Sequence, residues 1–484
     1  MTSAPRPTSP VVFASGHQIS LADIVTVADG ATVSIDRGVF DRVVTAAAAA
    51  DSIASSTPTY GRSTGVGANR QTTVTETSDH GIRLIRSHAT DAGDPLQPRV
   101  VRALIATRLA QLARSGSGIS PAILSALAEA LDSGEIPEIG SVGSVGTGDL
   151  AALAALGLAL AGERAGATPV TPVVWGAESA LPFLSSSALT IARAALASHE
   201  LRQLDRASRV AFALASAALR GNPSALSDAA ARAAAAPHVA DVSAEVRHLL
   251  GGASWTPARI QDPFGLRVYP ITQGALLTAL ERLDAQLTRL LNAAQENPVF
   301  DVSAGEVTHH GAFFQAQLAL DLDVTNLAVV QAATNAHALL RLTNEPGYTG
   351  LAPFLADGPA GSSGLMMLEY TAAAGLAEIR NAASPASIGT IVLSRGTEED
   401  ATFATQGAAQ LERAVSSYRT ILACQLLAVS RLLTQLDVDV PSPLAPAAAS
   451  VRALQSDQHD QDLRGPIQAA SDLLAGLGQP VAGR

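Results

Sequence analysis

The segment that decides the fold is GSVGTGDLAALAALGLAL, residues 143–160, in which a glycine-rich stretch runs directly into an apolar one. Leucine and alanine fill the second part without a proline or a charge, which predicts a buried helix that begins near Leu150. The N-terminus of such a helix can receive an anion, and the glycines before it permit compressed backbone conformations. This junction is therefore a candidate functional site.

The segment is similar in part to one nucleotide-binding motif and lacks the lysine of another. Residues Gly146 to Ala151 fit the dinucleotide fingerprint G-x-G-x-x-A, but Pro137 and several glycines precede them instead of a β-branched strand. No alternation of strands and helices follows. A Walker-type phosphate loop and a Schiff base with pyridoxal phosphate both need a lysine, and all 32 basic residues are arginine. The segment needs another explanation.

Outward from this segment, the composition predicts a mainly α protein built as a bundle of long helices. Of the 484 residues 47% are hydrophobic and 4% are aromatic, so small side chains should form a large core. The net charge of −11 argues against nucleic-acid binding. Cys424 is expected to be a buried, inert thiol. The apolar run from Leu150 to Ala161 is shorter than the roughly 18–20 residues that span a bilayer, and no secretory pattern begins the chain. We therefore expect a cytoplasmic protein without membrane contact.

Helical patterns divide the chain into three regions of one cooperative unit. Residues 1–200 form a mixed N-terminal region, residues 201–440 a central helical bundle and residues 441–484 a C-terminal helical tail. A polar, glycine-rich loop extends from Ser55 to Thr75, and loops of this length are often functional. A helix from about Gly311 to Leu342 would be roughly 48 Å long, which implies a bundle.

The segment that begins at Gly143 resembles the signature of the histidine and phenylalanine ammonia-lyase family, Gly-Ser-Val-Gly-Ala-Ser-Gly-Asp-Leu-Ala-Pro-Leu-Ala. In that family the Ala-Ser-Gly tripeptide cyclises with loss of two waters. The product, a methylidene-imidazolone, is an electrophile made from the chain itself, so no external cofactor is implied. Counted back from Asp149, the tripeptide falls on Gly146, Thr147 and Gly148, and threonine stands where the family has serine.

Other segments are similar to the same family, in its order, from about Gly16 to about Gly407. The stretch YGRSTGVG places Tyr60 on the family's catalytic base, and RSHATDAGDPL places His88 near the site. The resemblance also assigns Arg267 to the group that holds the substrate carboxylate, a task suited to a guanidinium fork. It places Glu378 on the active-site glutamate. The remaining matched segments are Glu296-Asn297-Pro298, residues 351–387 and Glu398-Glu399-Asp400.

The departures from the family pattern are concentrated where the chemistry should occur. Groups that hydrogen-bond the electrophile or the substrate amine are replaced, and new glutamates add negative charge. An electrophile activated by hydrogen-bond donors is weakened by both changes, so we expect Gly146-Thr147-Gly148 to remain uncyclised. Besides Thr147, the replacements are Phe264 for tyrosine, Ser185-Ser186 for Asn-Gly, Ala312 for asparagine, Phe314 for histidine, and Glu369 and Glu398 for glutamine.

The sequence therefore predicts a lyase that acts on a small amino acid, or on a derivative that keeps its carboxylate. In this hypothesis Tyr60 removes a β-proton, Arg267 binds the carboxylate and Glu378 assists proton movement, beside the variant residue Thr147. The resemblance implies a homotetramer with each site assembled from several subunits. No metal site is predicted, because the adjacent His309 and His310 point apart. The other substrate-binding candidates are His88, Phe264, Phe313, Ser185 and Glu369.

Alternatives remain open at this stage. The chain could be a methylidene-imidazolone-dependent ammonia-lyase or aminomutase, an elimination enzyme or cyclase on the same scaffold, or a non-catalytic paralogue that binds a carboxylate ligand. Arg267 could instead pair with Asp262, and Glu398 could belong to a solvated run of charges.

Overall fold

Helices account for most of the chain, as the alanine-rich composition predicts. The computed structural model describes residues 9–75, 78–165, 171–251, 255–455 and 459–479. In the first half the helices are α1 (Leu21–Ala28), α2 (Arg37–Ala54), α3 (His80–His88), α4 (Pro98–Leu112), α5 (Pro121–Ser133), α6 (Leu150–Leu160), α7 (Ala180–Leu184), α8 (Ala188–Ala218), α9 (Asp228–Ala234) and α10 (Val239–Leu249). In the second half they are α11 (Phe264–Arg267), α12 (Tyr269–Leu291), α13 (Ala316–Asn344), α14 (Pro346–Thr349), α15 (Met366–Ala382), α16 (Ala404–Gln435), α17 (Ala445–Arg452) and α18 (Arg464–Leu477).

Short strands form three two-stranded sheets among the described residues. The parallel pair is β1 (Val11–Phe13) with β2 (Val33–Ile35), and the antiparallel pairs are β3 (Ala92–Pro95) with β4 (Gly140–Val142) and β5 (Val299–Asp301) with β6 (Glu306–Thr308). The second pair leads into the glycine-rich signature, and the third precedes the start of α13. The prediction of a mainly α fold with a mixed N-terminal region is confirmed.

Several helix boundaries follow from local chemistry that is visible in the sequence. Ser20 and Asp23 form a reciprocal capping box at the start of α1, and α6 begins at Leu150 as predicted. The helix expected from about Gly311 begins instead at Ala316. Residues 311–315 form a turn, in which the Phe314 amide donates to the Gly311 carbonyl at 2.9 Å.

The described chain divides into two compact units, each made of three segments. Unit 1 is Met1–His199, Leu283–Leu322 and Pro385–Ala409, and unit 2 is Glu200–Arg282, Asp323–Ser384 and Gln410–Arg484. The sequence boundary after residue 200 lies next to the first of these divisions, but the later segments alternate between the units. The alternation arises because four long helices, α8, α12, α13 and α16, each contain a unit boundary. The regions 1–200, 201–440 and 441–484 stay a prediction.

One helical stretch in the described part of the chain, Ala180–Ala218, is apolar and long enough to cross a membrane by length and composition. Its most apolar window has a mean hydropathy of 1.3, but 94% of that window is buried inside the protein. Such burial is typical of a core helix.

The cysteine at position 424 is fully buried, as the sequence predicts. Burial raises the pKa of the Cys424 thiol to about 12, as expected for an inert cysteine.

The core of unit 1 contains a buried ion pair that connects α4 to the loop after α12, and the same arginine also contacts α7. Arg108 on α4 donates to Glu296 at 2.9 Å, and both side chains are fully buried. Its Nε also donates to the Phe183 carbonyl at 3.0 Å, and its Nη1 donates to Gln111 at 3.0 Å. Burial raises the pKa of Glu296, and the Arg108 guanidinium opposes that shift. The pair therefore fixes the segments that precede Ser185 and Asn297.

Replacing Arg108 with Met should destabilise the protein strongly, because Glu296 would remain as an unpaired buried charge. The expected cost is about 3–5 kcal/mol. The matched control is Arg86→Met, which breaks a 2.7 Å pair with Glu163 whose side chains are 54% and 34% exposed. This change should shift the denaturation midpoint far less, because solvent screens the exposed pair. Chemical denaturation midpoints of the two variants and the wild type provide the measurement, and equal shifts would contradict the assignment.

Candidate active site

A cavity of about 570 Å³ in unit 1 brings together the glycine-rich signature and the long loop that carries Tyr60. Four of the residues predicted from the sequence line it: Tyr60, Thr147, Ser185 and Phe313. Pro58, Leu150 and Leu181 add apolar surface, and the other polar residues of the lining are Thr64, Arg70, Gln71, Asn297, His309, Thr397 and Glu398. The cavity is therefore the centre of the candidate site.

The signature tripeptide is held in a conformation that only glycine adopts easily at two of its three positions. Gly146 has a φ of +88° and Gly148 a φ of +107°. The Thr402 hydroxyl donates to the Gly146 carbonyl at 2.9 Å, and the Ser144 hydroxyl donates to the Gly148 carbonyl at 3.0 Å. A Cβ atom on Gly146 would lie 2.3 Å from the Thr402 hydroxyl and 2.8 Å from the Phe403 amide nitrogen. The alanine of the family signature does not fit here.

Asp149 anchors the end of the signature at the start of α6. Its fully buried carboxylate accepts from the Thr190 amide at 2.8 Å, from the Thr190 hydroxyl at 3.0 Å and from the Thr405 hydroxyl at 3.3 Å. Burial raises the pKa of Asp149, and these donors oppose the rise. The aspartate thus connects the tripeptide to the starts of α8 and α16.

Thr147 points its hydroxyl into the cavity, where it donates to the Glu398 carboxylate at 3.2 Å. Glu398 is half-buried, and its backbone pairs with Leu393 across a tight turn. The alternative that Glu398 belongs only to a solvated run of charges is therefore wrong. The adjacent Glu399 and Asp400 are exposed, as expected for a solvated run of charges.

Tyr60 lies half-buried at the cavity, with its phenol oxygen accepting from the Gly67 amide at 2.7 Å. Burial raises the pKa of the phenol, and the negative charge of Glu398 raises it further. The Gly67 amide and the Arg70 guanidinium act in the opposite direction without cancelling the rise. In the free chain at neutral pH the phenol is therefore protonated.

The loop that carries Tyr60 is attached to the Glu398 turn. The Ala68 amide donates to the Ser394 hydroxyl at 3.0 Å, and Arg70 Nη1 donates to the Thr397 hydroxyl at 2.8 Å. On its other side the Tyr60 amide donates to His309 Nε2 at 3.3 Å, and the two rings meet edge to face at 6.5 Å. These contacts fix the position of Tyr60 relative to Glu398.

Ser185 and Asn297 form one side of the cavity. The Asn297 amide nitrogen of the backbone donates to the buried Ser185 hydroxyl at 3.0 Å, and the Asn297 side-chain oxygen accepts from the His310 amide at 2.9 Å. Because Glu296 precedes Asn297, the buried pair with Arg108 supports this side directly. The arrangement leaves the Asn297 side-chain NH₂ group as a donor.

The structure places four other predicted residues in unit 2. Arg267 lines another cavity, where its Nε donates to the Asp262 backbone carbonyl at 2.6 Å and its guanidinium lies 4.8 Å from the Phe264 ring centre. The Asp262 carboxylate pairs with Arg259 at 2.7 Å, so it is not the ion-pair partner of Arg267.

The remaining predicted residues have varied surroundings. On α15 in unit 2, Glu369 accepts from the Asn344 amide at 3.2 Å and Glu378 is exposed. Phe264, which is 67% exposed, does not line the unit 1 cavity with Phe313. In unit 1 His88 does not line that cavity either, and its Nδ1 contacts the Leu84 carbonyl at 2.8 Å. The substrate-binding roles of these residues stay predictions.

Sequence reasoning missed Arg70, Asn297 and His309 as cavity residues. Arg70 lies in the same glycine-rich loop as Tyr60, and that position is the signal that could have found it. The sequence analysis weighed His309 and its neighbour His310 only as candidate metal ligands. No group of three histidine, cysteine or acidic side chains that could hold a metal ion occurs within the described ranges.

Comparison with known proteins identifies the family of this chain. A sequence profile described as aromatic amino acid lyase matches residues 19–455. The chain belongs to the aromatic amino acid lyase family. The predicted family, fold class and lyase class of this enzyme are confirmed.

Individual relatives of this aromatic amino acid lyase agree with the family match. A histidine ammonia-lyase from Treponema denticola is 30% identical over 446 residues, which cover 87% of each chain. The solved histidine ammonia-lyase from Trypanosoma cruzi has a TM-score of 0.89 at 25% identity and covers 97% of this chain and 94% of its own. The ergothionase from Treponema denticola, an ergothioneine-degrading enzyme, has a TM-score of 0.89 at 21% identity and covers 97% of this chain and 99% of its own.

Replacing Glu398 with Gln should lower the pKa of Tyr60, because it removes a negative charge that disfavours the phenolate. Titration of tyrosinate absorbance measures the effect, with Tyr60→Phe used to identify the Tyr60 contribution among the five tyrosines. The matched control is Glu399→Gln, which alters the exposed neighbour and should leave the curve unchanged. A pKa that stays the same in Glu398→Gln would show that the two groups are not electrostatically coupled.

Proposed function

We propose that this aromatic amino acid lyase eliminates an amine from a small amino acid, or from a carboxylate-bearing derivative, without a methylidene-imidazolone. The proposal depends mainly on one observation, the hydrogen bond from Thr147 to Glu398 in the Tyr60 cavity. It places an anion where the family's mechanism requires an electrophile. The 30% identity with a histidine ammonia-lyase supports an amino acid as the substrate class.

The residues of this site fit the family's electrophile poorly. Cyclisation needs the Gly148 nitrogen to attack the Gly146 carbonyl carbon, and the glycine backbone permits the compression. Dehydration of Thr147, however, would leave a methyl group on the carbon that must accept the substrate amine. The negative charge of Glu398, which accepts from the Thr147 hydroxyl at 3.2 Å, would also disfavour the negative charge that develops on the electrophile when an amine adds to it. Both effects oppose an electrophilic role.

The same carboxylate suits a different task, which is to hold the substrate amine in its protonated form. An ammonium group beside Glu398 would cancel the negative charge that contributes to the raised pKa of Tyr60. Arg70 favours the phenolate already, so binding of the substrate cation moves Tyr60 towards a base. The bound substrate thereby favours the phenolate form of Tyr60, which removes the β-proton.

The elimination itself then needs only the groups of the protein and the substrate. The Tyr60 phenol first releases its proton to bulk water. The resulting phenolate takes the β-proton, the electron pair of that C–H bond forms the C=C bond, and the C–N bond breaks with its electrons on nitrogen. The amine leaves as a neutral molecule, because its positive charge is cancelled by the incoming electron pair. Thr147 and Glu398 keep the leaving nitrogen in position, and Glu378 remains our candidate for assisting proton movement.

Arg267 is proposed to anchor the substrate carboxylate in a homotetramer whose sites draw on several subunits. No carboxylate among the described residues pairs with its guanidinium, since Asp262 pairs with Arg259, and the Arg267 charge is therefore available to a substrate carboxylate.

Helix α13 supports the proposed assembly. It leaves Leu320, Val324 and Leu327 exposed by 52%, 39% and 49% on one face. Residues at this spacing form a stripe that suits burial against another subunit.

The state of the tripeptide is tested by intact-protein mass spectrometry. The measured mass of the wild type should equal that of the encoded chain, because Gly146-Thr147-Gly148 stays an open peptide. Thr147→Ala serves as the reference that cannot dehydrate. If the wild type lacked two waters and the variant did not, the electrophile would form and the alternative of a methylidene-imidazolone-dependent lyase or aminomutase would replace our proposal.

Tyr60→Phe should abolish turnover and leave the fold and assembly intact, because the loop contributes little to the core. Amino acids and their N-modified derivatives are screened first to find a turned-over substrate, and the rate is then compared at several pH values. Tyr348→Phe, which alters a tyrosine of unit 2, is the matched control and should keep the wild-type rate. A Tyr60→Phe enzyme with wild-type turnover would remove Tyr60 as the base.

A further inference from the structure

Arg70 is a cavity residue to which neither the sequence nor the family assigns a role. It follows the single turn Gly67–Asn69 in the Tyr60 loop, and Nη1 is held by the Thr397 hydroxyl at 2.8 Å. Nη1 also lies 3.5 Å from the Gly67 carbonyl. Within the described ranges, Nε and Nη2 have no hydrogen bond or ion pair. The guanidinium is thus fixed at one corner, and its other donors are available at the cavity.

No acidic side chain among the described residues forms an ion pair with Arg70. No ion pair joins it to Glu398 in the described chain, although both line the same cavity. Glu398 accepts from Thr147 instead, and Arg70 donates to Thr397. Both charges lie close enough to Tyr60 to act on its phenol, with opposite effects. Two unpaired charges of opposite sign in one cavity indicate a ligand that supplies a partner for each.

A simple zwitterionic amino acid does not supply enough charges for this site. The inference here rests on the proposed function, in which Glu398 takes the substrate ammonium and Arg267 takes the α-carboxylate. Arg70 is then left without a counterion. We infer that Arg70 binds a second acidic group, so that the substrate is an amino acid, or a derivative, with a carboxylate on its side chain.

Other cavity groups agree with an acidic side chain. His309 Nε2 accepts the Tyr60 amide, so the proton of the neutral ring is on Nδ1, which is a donor. The Asn297 side-chain oxygen accepts from His310, which leaves its NH₂ group to donate. A guanidinium fork with neutral donors nearby is the combination that recognises carboxylates. Glu398 is the only carboxylate among the cavity-lining residues of the described chain, so an acidic substrate side chain would be repelled only near Glu398.

Binding of isosteric amino acid pairs tests this inference. Aspartate and glutamate are titrated into the wild-type enzyme by calorimetry, with asparagine and glutamine as uncharged counterparts of the same shape. At least one acid should bind roughly threefold to tenfold more tightly than its amide. Arg70→Gln should remove that preference and keep the affinity for the amide. Arg70→Lys should keep part of it, since the charge stays and the fork is lost.

Two further variants separate this inference from the proposed function. Arg395→Gln removes an exposed arginine from the turn Ser394–Gly396, which contacts the Tyr60 loop. This variant should keep the wild-type preference for the acid. Arg267→Leu should weaken the acid and the amide equally, by several-fold. If the acid is not preferred by the wild type, or Arg70→Gln keeps the preference, the second acidic subsite is wrong while the proposed function stands. If Arg267→Leu alters neither affinity, the proposed carboxylate anchor is wrong.

Discussion

The buried carboxylate of Asp149 is the constraint on which the arrangement of unit 1 depends. No cation pairs with it among the described residues, and its charge is balanced by an amide and hydroxyl groups from Thr190 and Thr405. Because an unpaired buried charge is costly, all of these donors must stay in place together. The start of α6 is therefore connected to the starts of α8 and α16. That connection also fixes the position of the tripeptide Gly146-Thr147-Gly148, which precedes Asp149.

The cavity that results contains charges whose effects on Tyr60 oppose each other. Glu398 disfavours the phenolate, Arg70 favours it, and burial disfavours it in either case. Among the described residues Glu398 and Arg70 have no ion-pair partner, and a charged ligand could supply one for each. The chemistry that we propose uses this property, since the substrate supplies the charge that the base lacks.

The sequence predicted the fold and four of the residues that line the cavity, for identifiable reasons. Helix α6 and the capping box of α1 depend on local patterns, and local patterns are visible in one chain. Tyr60 and Thr147 were found because they lie within short motifs. The neighbours of Thr147 were harder to find, because Glu398 lies 251 positions away and adjoins exposed acidic residues. Arg70 and His309 have no motif of their own, and Asn297 lies in a matched segment to which no site role was assigned, so only tertiary packing brings these residues to the site.

The crowding around Gly146 has a consequence for attempts to rebuild the family signature by mutation. The backbone nitrogens of Phe403 and Ala404 lie 2.8 Å and 2.9 Å from the place where a Cβ atom would stand, and backbone atoms cannot rotate away as a side chain can. Changing Thr147 to serine would therefore supply one residue of the family signature and leave the alanine before it excluded. Alanine at position 146 would also require the backbone at Phe403 and Ala404 to move. Redesign of the tripeptide alone therefore does not reproduce the family's Ala-Ser-Gly.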